Sequence, residues 1–504
     1  MRRAERLTDG GNWKLAVVLC WLVPALAGCQ LGPDYGGQHP VLPAAYQQAA
    51  VQTPAGVGPQ VTAAWWQGFG SADLDGLMTD AEAGSFDIQA AVARVREADA
   101  QLRAAGGALL PEIDGAAKQT WNRFGSVSGG LAGVPGGGFA FNTRQITTES
   151  RSYSLGPSIS YELDLWGAVR AARDAAAASA LFSRYDRETV RLTVLTSVAS
   201  AWFNALAFQD RLAVAERNLH DAAFILGAIR ARQDAGTASL LDVSQQEALV
   251  AGIRAQMPGL RQQRDQQVTA LAVLVGRLPE QIKAPGGTLD VLRLPDVLPG
   301  LPSTLLARRP DVAAAEANLI AQNANIRAAR AALFPTVSLT GSAGWQSTAL
   351  TSLISPGSVL LSAAAGATQV IFDNGRLGAQ FDQNRARYDE LLANYRKAVV
   401  QAFVDVENGL EGLRETTEQE RLEREAVTTA QRAADIARAQ VLAGTLDIVT
   451  ALQTQTTLFT DLDLLAQARV ARFQALVTLY KALGGGWTQG DVIAPETPIF
   501  NGVL

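Results

Sequence analysis

Cysteine and histidine are nearly missing from this 504-residue chain, which holds two of each. His39 and His220 stand far apart, and the cysteines are Cys20 and Cys29. Such an inventory offers no metal-ligand cluster and no nucleophile with a neighbouring imidazole base, so neither a metal centre nor an enzyme is expected. Positive charge is also short. The net charge is −5, and because the first 28 residues contribute +2 the remainder sits near −7, which leaves no basic footprint for nucleic acid. The carboxylates are expected at solvated positions along helices. Long apolar runs are missing as well: Leu15 to Ala25 is too short for a spanning helix.

That short run has flanks of its own. Arg2, Arg3, Arg6 and Lys14 precede it and Leu26-Ala27-Gly28-Cys29 follows, the pattern of a signal peptide over residues 1–28. The cleavage box resembles that of bacterial lipoproteins, which implies a covalent lipid on Cys29 and no other cofactor. Cys20 lies in the removed segment, so no internal disulfide is expected. By resemblance to lipoprotein sorting, Gln30 favours delivery to the outer membrane. Residues 29–64 then form an extended N-terminal segment.

Self-similarity organises the rest. The segment beginning Asp87-Ile-Gln-Ala-Ala and ending at Pro111 matches the one from Asp311 to Pro335 at an offset of 224, with 11 identities in 27 positions through Val337. Gly167/Gly375, Gly236/Gly444, Leu271/Leu479 and Gly276/Gly484 all align at an offset of 208. The chain thus holds two copies of one unit, over 65–284 and 303–487, joined by a Pro-rich linker at 285–302 and followed by a tail at 488–504. The 16-residue difference between the offsets must fall between Pro111 and Gly167, where the first copy carries the extra stretch Gly125 to Gly138, which reads as a long surface loop.

Each copy reads as an Ala-rich helix, two strands, a very long helix, a tight turn and a return helix. Val337, Leu339, Ala343 and Trp345 alternate with Thr336, Ser338, Thr340 and Ser342, and Ile159, Tyr161, Leu163 and Leu165 alternate with Ser158, Ser160, Glu162 and Asp164. Period two means strand. Four strands amid long helices can neither build a sandwich nor close a membrane barrel, because such barrels begin at about eight strands. An open edge is not tolerated in lipid, so the barrel must be shared between chains. Two, three and four copies remain open at this point.

From Val194 to Ile229 apolar residues step by four and three without a break, a coiled-coil seam. A helix from Gly167 to about Gln233 is roughly 100 Å long at about 1.5 Å per residue, too long for a globular body. The second copy's seam is poorer, with Thr416, Glu420 and Glu423 interrupting it. The turns Ala235-Gly236-Thr237-Ala238-Ser239-Leu240 and Ala443-Gly444-Thr445-Leu446 fit a left-handed Gly followed by a capping side chain. They mark the end of the long helices farthest from the strands. Arg308-Arg309-Pro310-Asp311 reads as a helix start.

Taken in order, Cys29 to Tyr35, Trp65-Trp66 with Phe69, Tyr161-Glu-Leu-Asp-Leu-Trp-Gly167, Ala235 to Asp242, Leu306 to Asp311, Phe334-Pro335 and Ile371-Phe-Asp-Asn-Gly375 resemble the TolC-type outer membrane efflux family, lipoprotein branch. The resemblance implies a mainly α chain with membrane β: a homotrimer closing a 12-stranded barrel, continued by a helical periplasmic barrel. It implies a periplasmic adaptor docked at the tip and an inner-membrane pump, most often a proton-driven drug exporter. Carried over, the docking tip falls on Gly236, Thr237, Ser239, Leu240, Gly444 and Thr445. The constriction falls on Val449, Gln453 and Thr456, where relatives commonly place Leu, Asp and Arg. The charged gate is absent. Two rivals stand beside this reading: the exit duct of a protein-secretion system, and a lipid-anchored periplasmic coiled-coil adaptor.

Overall fold

The computed structural model describes residues 36, 46, 62–134, 138–295, 297, 305 and 308–487. The signal peptide, Cys29, Gln30 and the tail 488–504 lie outside the described residues, as do most of 29–64 and part of the linker. In chain order the elements are helices α1 (Ala72–Gly84) and α2 (Phe86–Gly107), strands β1 (Glu112–Val134) and β2 (Gly138–Leu163), and helices α3 (Ala168–Asp234) and α4 (Leu240–Val275). The second repeat supplies α5 (Pro310–Ala331), β3 (Thr336–Ser347), β4 (Val359–Thr368), α6 (Arg376–Ala443) and α7 (Ile448–Ala482).

The two long helices, 67 and 68 residues, begin where the glycine motifs stand. Gly167 and Gly375 sit at φ 79° and 81°, and an aspartate upstream of each closes the orphan amides of the first turn. Asp164 accepts from the Val169 and Arg170 amides at 3.1 and 2.9 Å, and Asp373 from those of Gly375 and Leu377 at 3.0 and 2.9 Å. The seam of α3 is buried from Val194 to Ile229, except that Phe208 and Leu219 are half-buried. Its apolar stretch is long enough to cross a bilayer, but 61% of it is buried inside the subunit. It is an interior helix.

One antiparallel sheet runs β1-β2-β3-β4, so the hairpin of each repeat joins the other through β2 and β3. Register places Ile113, Ile159, Tyr161, Leu339, Trp345 and Leu361 on one face, and Glu112, Asp114, Ser158, Ser160, Ser342 and Ser362 on the other. The apolar face is open to its surroundings: Ile113 is 70% exposed and Leu361 75%. β1 and β4 are unpaired outer edges. The surface-loop expectation for Gly125 to Gly138 is corrected here: Glycines 125, 129, 130, 133 and 138 all lie within β1 and β2, and pairing continues to Val134↔Gly138. Glycine lowers strand propensity but cannot cancel a ladder already set by the register below it.

Midway along the helices an aromatic core binds the repeats. Phe203 of α3 stacks on Phe473 of α7 at 4.8 Å between ring centres, and Phe69 packs edge-on to Phe203 at 4.9 Å. Trp65 stacks on Tyr480 at 4.9 Å, and burial pushes that phenol up to about 12. The return helices end in the same way twice. Gly276 and Gly484 adopt φ 69° and 85°, and a Cβ on either would meet the carbonyl oxygen of Gly84 or Arg308 at 2.1 or 1.9 Å. Those two partners are themselves related by the 224 offset.

Two expectations about charge need correcting. Glu420 and Glu188 are buried rather than solvated. Glu420 bonds Arg424 at 2.6 Å and Arg472 of α7 at 3.1 Å, with Arg469 at 3.5 Å, and Glu188 lies between Arg187 and Arg191. The break in the second seam is thus an internal ion cluster joining α6 to α7. Burial raises the Glu420 carboxyl, but the Arg472 and Arg424 hydrogen bonds outweigh it and hold the group below the usual carboxylate range.

Candidate functional site: the bore and its periplasmic tip

The sheet's two faces set the site's upper end. A two-faced sheet with open edges, apolar outward and Ser- and Thr-rich inward, presents lipid with carbon and a lumen with hydroxyls. At the junction with the helices, the Trp166 indole N–H donates to the Pro335 carbonyl at 2.7 Å and its ring stacks on Phe334 at 5.0 Å. This ties the barrel end of one repeat to that of the other.

At the far end the chain reverses twice. Gly236 has φ 75°, and the Gly236 and Thr237 amides donate to the Gln233 and Arg232 carbonyls at 2.9 and 2.8 Å. Ser239 then caps α4 with a reciprocal box: its hydroxyl accepts from the Asp242 amide, and the Asp242 carboxylate accepts from the Ser239 amide. The second turn repeats the device. Gly444 has φ 76°, the Thr445 amide donates to the Gln440 carbonyl at 2.9 Å, and Asp447 caps α7 through the Thr450 amide. Hydrogen bonds from Thr450 hold the Asp447 carboxyl below its ordinary range. Leu240, the first residue of α4, is 70% exposed.

The structure brings the two turns together. Arg232 of the first donates to the Val441 carbonyl of the second at 3.1 Å, and the Arg438 guanidinium lies 4.7 Å over the Phe224 ring and 3.6 Å from Asp221. Higher up, Arg211 of α3 grips Asp463 of α7 through two bonds of 2.6 and 3.0 Å. Sequence reading missed these links. Each pairs residues more than 200 positions apart, which no local pattern can show.

Val449, Gln453 and Thr456 follow one another at four and three positions on α7, and all three are exposed on the subunit. The Thr456 hydroxyl bonds back to the Leu452 carbonyl at 2.8 Å, and Thr457 and Thr460 bond in the same manner to Gln453 and Thr456. Their hydroxyl protons are therefore engaged within the helix. Thr456 and Thr460 also border a groove of about 670 Å³ among α3, α4 and α7. Among the described residues no His, Cys, Asp and Glu cluster could hold a metal ion. The buried Arg309 is structural: it bonds Asp311 at 2.6 Å and Asp405 at 2.9 Å, fastening the start of α5 to α6.

An open-edged, lipid-clad sheet with a polar inner face, continued by helices of about 100 Å, defines a class: the subunit of a shared outer-membrane duct. The sequence signature of the Outer membrane efflux protein family matches residues 77–277 and 301–485, and the chain belongs to that family. It is 40% identical over 427 residues to the pyoverdine export outer membrane protein OpmQ of Pseudomonas aeruginosa, covering 84% of this chain and 87% of the relative. It is 32% identical over 466 residues to the antibiotic efflux pump outer membrane protein ArpC of Pseudomonas putida, covering 92% and 93%. Among solved structures, the outer-membrane channel OprN superposes with a TM-score of 0.81 at 26% identity over 91% of this chain and all of the other. The open state of the Neisseria gonorrhoeae MtrE channel does so at 0.79 and 28%, over 91% and 98%.

The chain is thus the outer-membrane channel component of an efflux pump, working with an adaptor and an inner-membrane pump. It forms trimers, so three sheets of four strands close a 12-stranded barrel over a periplasmic helical extension.

Proposed function

We propose that the trimer is a passive exit duct for small organic molecules, supplied by a proton-driven drug-exporter type of pump and anchored additionally by a lipid on Cys29. The adaptor grips the ring of tips formed by Gly236, Thr237, Ser239, Leu240, Gly444 and Thr445. The observation that carries this reading is the paired tip: two capped, exposed turns held together by Arg232, about 100 Å from the sheet. A small-molecule cargo is favoured over a secreted protein by relatives named for pyoverdine export and antibiotic efflux. A coiled-coil adaptor has no use for a four-stranded sheet with an apolar face. A photo-crosslinker placed at Ser239 should capture a periplasmic adaptor in cells. Recovery of no partner from intact, active pumps would remove the docking role.

The closed constriction is built from Val449, Gln453 and Thr456, hence from apolar and hydrogen-bonding contacts rather than charge rings. Gln453→Ala should raise the leak conductance of trimers in planar bilayers. An unchanged leak takes Gln453 out of the gate. The lipid is checked directly by mass spectrometry of the mature N-terminus, which should carry acyl chains in the native chain and lose them in Cys29→Ser.

A further inference from the structure

The two hairpins of the sheet differ in height. The β1–β2 ladder runs unbroken from Glu112↔Ser160 to Val134↔Gly138, whereas β2 and β3 stop pairing at Tyr153↔Ser347 and β3 and β4 at Trp345↔Val359. Fifteen pairs, Thr120↔Ser152 to Val134↔Gly138, therefore stand above everything the second hairpin reaches. At about 3.3 Å per residue that is a two-stranded ribbon of about 50 Å.

Within the barrel each edge of the first hairpin is covered, β2 by β3 and β1 by β4 of the next subunit. Above Tyr153 neither cover continues, because β4 has only 10 residues and β3 has ended. Both edges then present free amides and carbonyls, and an isolated two-stranded ribbon is marginal in water. Strands alternate in direction around the barrel. With the intervening hairpin gone, β2 of one subunit and β1 of the next already run antiparallel, three strand spacings or about 14 Å apart. The ribbon is several times longer than that gap, and Gly125, Gly129, Gly130 and Gly133 make it easy to bend.

We propose that the three ribbons of the trimer pair edge to edge, β2 with the next subunit's β1, and close a six-stranded collar above the membrane. Barrel diameter scales roughly with strand number, so the collar narrows the outer mouth to about half the width of the bore below. The occupant of each free edge is the neighbouring copy's ribbon, a direct upward continuation of the trimer seam. This rests on the trimeric barrel and is independent of adaptor docking at the opposite end.

Two experiments test it. Differently tagged chains are co-expressed, one carrying Ser128→Cys and the other Arg144→Cys, at heights matched by the register; Ala132→Cys with Ala140→Cys forms a second pair. A short bis-maleimide should join chains of both tags in intact trimers and should join nothing in trimers of either variant alone. For the mouth itself, Ser158→Cys on the polar face is labelled from outside cells with a polymer-tagged maleimide. The native ribbon should block labelling, and replacing residues 125–147 by Asn-Gly should remove the block. Intact trimers without a mixed-tag product overturn the collar, as does a product joining the ribbon to an unrelated surface protein. Labelling that ignores the ribbon overturns the narrowing.

Discussion

The helices α3 and α6 descend from one repeat and differ by a single residue in length, yet 25 residues of α3 are buried against nine of α6. The difference lies in their neighbours. α3 packs against α2, α4, α5 and α7, so an unbroken apolar seam is needed on several sides; α6 packs along its length on α5 and α7 and reaches α3 near the tip through Arg438 and Val441. Val400, Leu422, Ile436 and Leu442 on α6 are at least half exposed among the described residues, an apolar surface of the kind that the trimer interface needs. One repeat has specialised as the subunit's spine and the other as its contact surface. Among the buried residues of α6 one is charged, Glu420.

The sharpest way to break this contrast is in the aromatic core. Phe203→Ala removes a fully buried ring that touches Phe69 and Phe473, and should cost about 3–5 kcal/mol, seen as loss of folded trimer or a steep fall in its thermal midpoint. Val404→Ala on α6, 42% exposed, should leave the isolated subunit's stability within about 0.5 kcal/mol and act only on trimer dissociation. Equal effects on subunit unfolding would erase the distinction.

Gly276→Ala and Gly484→Ala probe what the repeats still share. Each forces a left-handed position and a carbonyl clash, so each should cost about 2–3 kcal/mol, by nearly equal amounts. Unequal losses in denaturant unfolding would show that the two ends have diverged.

Glu420→Gln comes next. It removes the charge opposite Arg472 and Arg469 while Arg469 keeps Asp290 at 2.7 Å, so roughly 2 kcal/mol is expected, less than for a pair stripped of every partner. The pH dependence has a definite sign. Because the folded carboxyl titrates below its unfolded value, of about 4.3, its contribution is complete above that value and is lost as pH falls through the folded one. The variant should lack this acid-limb loss. Ser239→Ala is milder still, costing about 1 kcal/mol of helix capping at one tip, read as faster amide exchange over residues 239–243 with the membrane end unchanged.

Much of the molecule was legible because its signals are local and periodic. Gly236 and Gly444 adopt the left-handed conformation expected at the turns, the long helices start beside Gly167 and Gly375 as read, and Ser239 and Asp447 supply the capping side chains. The β alternation assigned faces correctly. Gly125 to Gly138 misled, because local propensity argues for a loop while the ladder below extends through it. Glu420 was noticed only as a flaw in a seam. Two of its three arginine neighbours, Arg469 and Arg472, lie 49 and 52 positions away, on a helix whose packing angle no single-sequence pattern specifies.

By itself the sequence determined the repeat, the length of the helices, the turns at their ends and the two-faced strands, since each depends on neighbours within a few residues or on a constant offset. It also determined that one subunit has too few strands to close a barrel. Only the tertiary structure decided which long helix became the spine, how Arg211, Arg232 and Arg438 tie the helix pairs, and how far the first hairpin rises above the second. Those outcomes depend on contacts between distant segments, whose energies are set by geometry that exists only once the chain has folded.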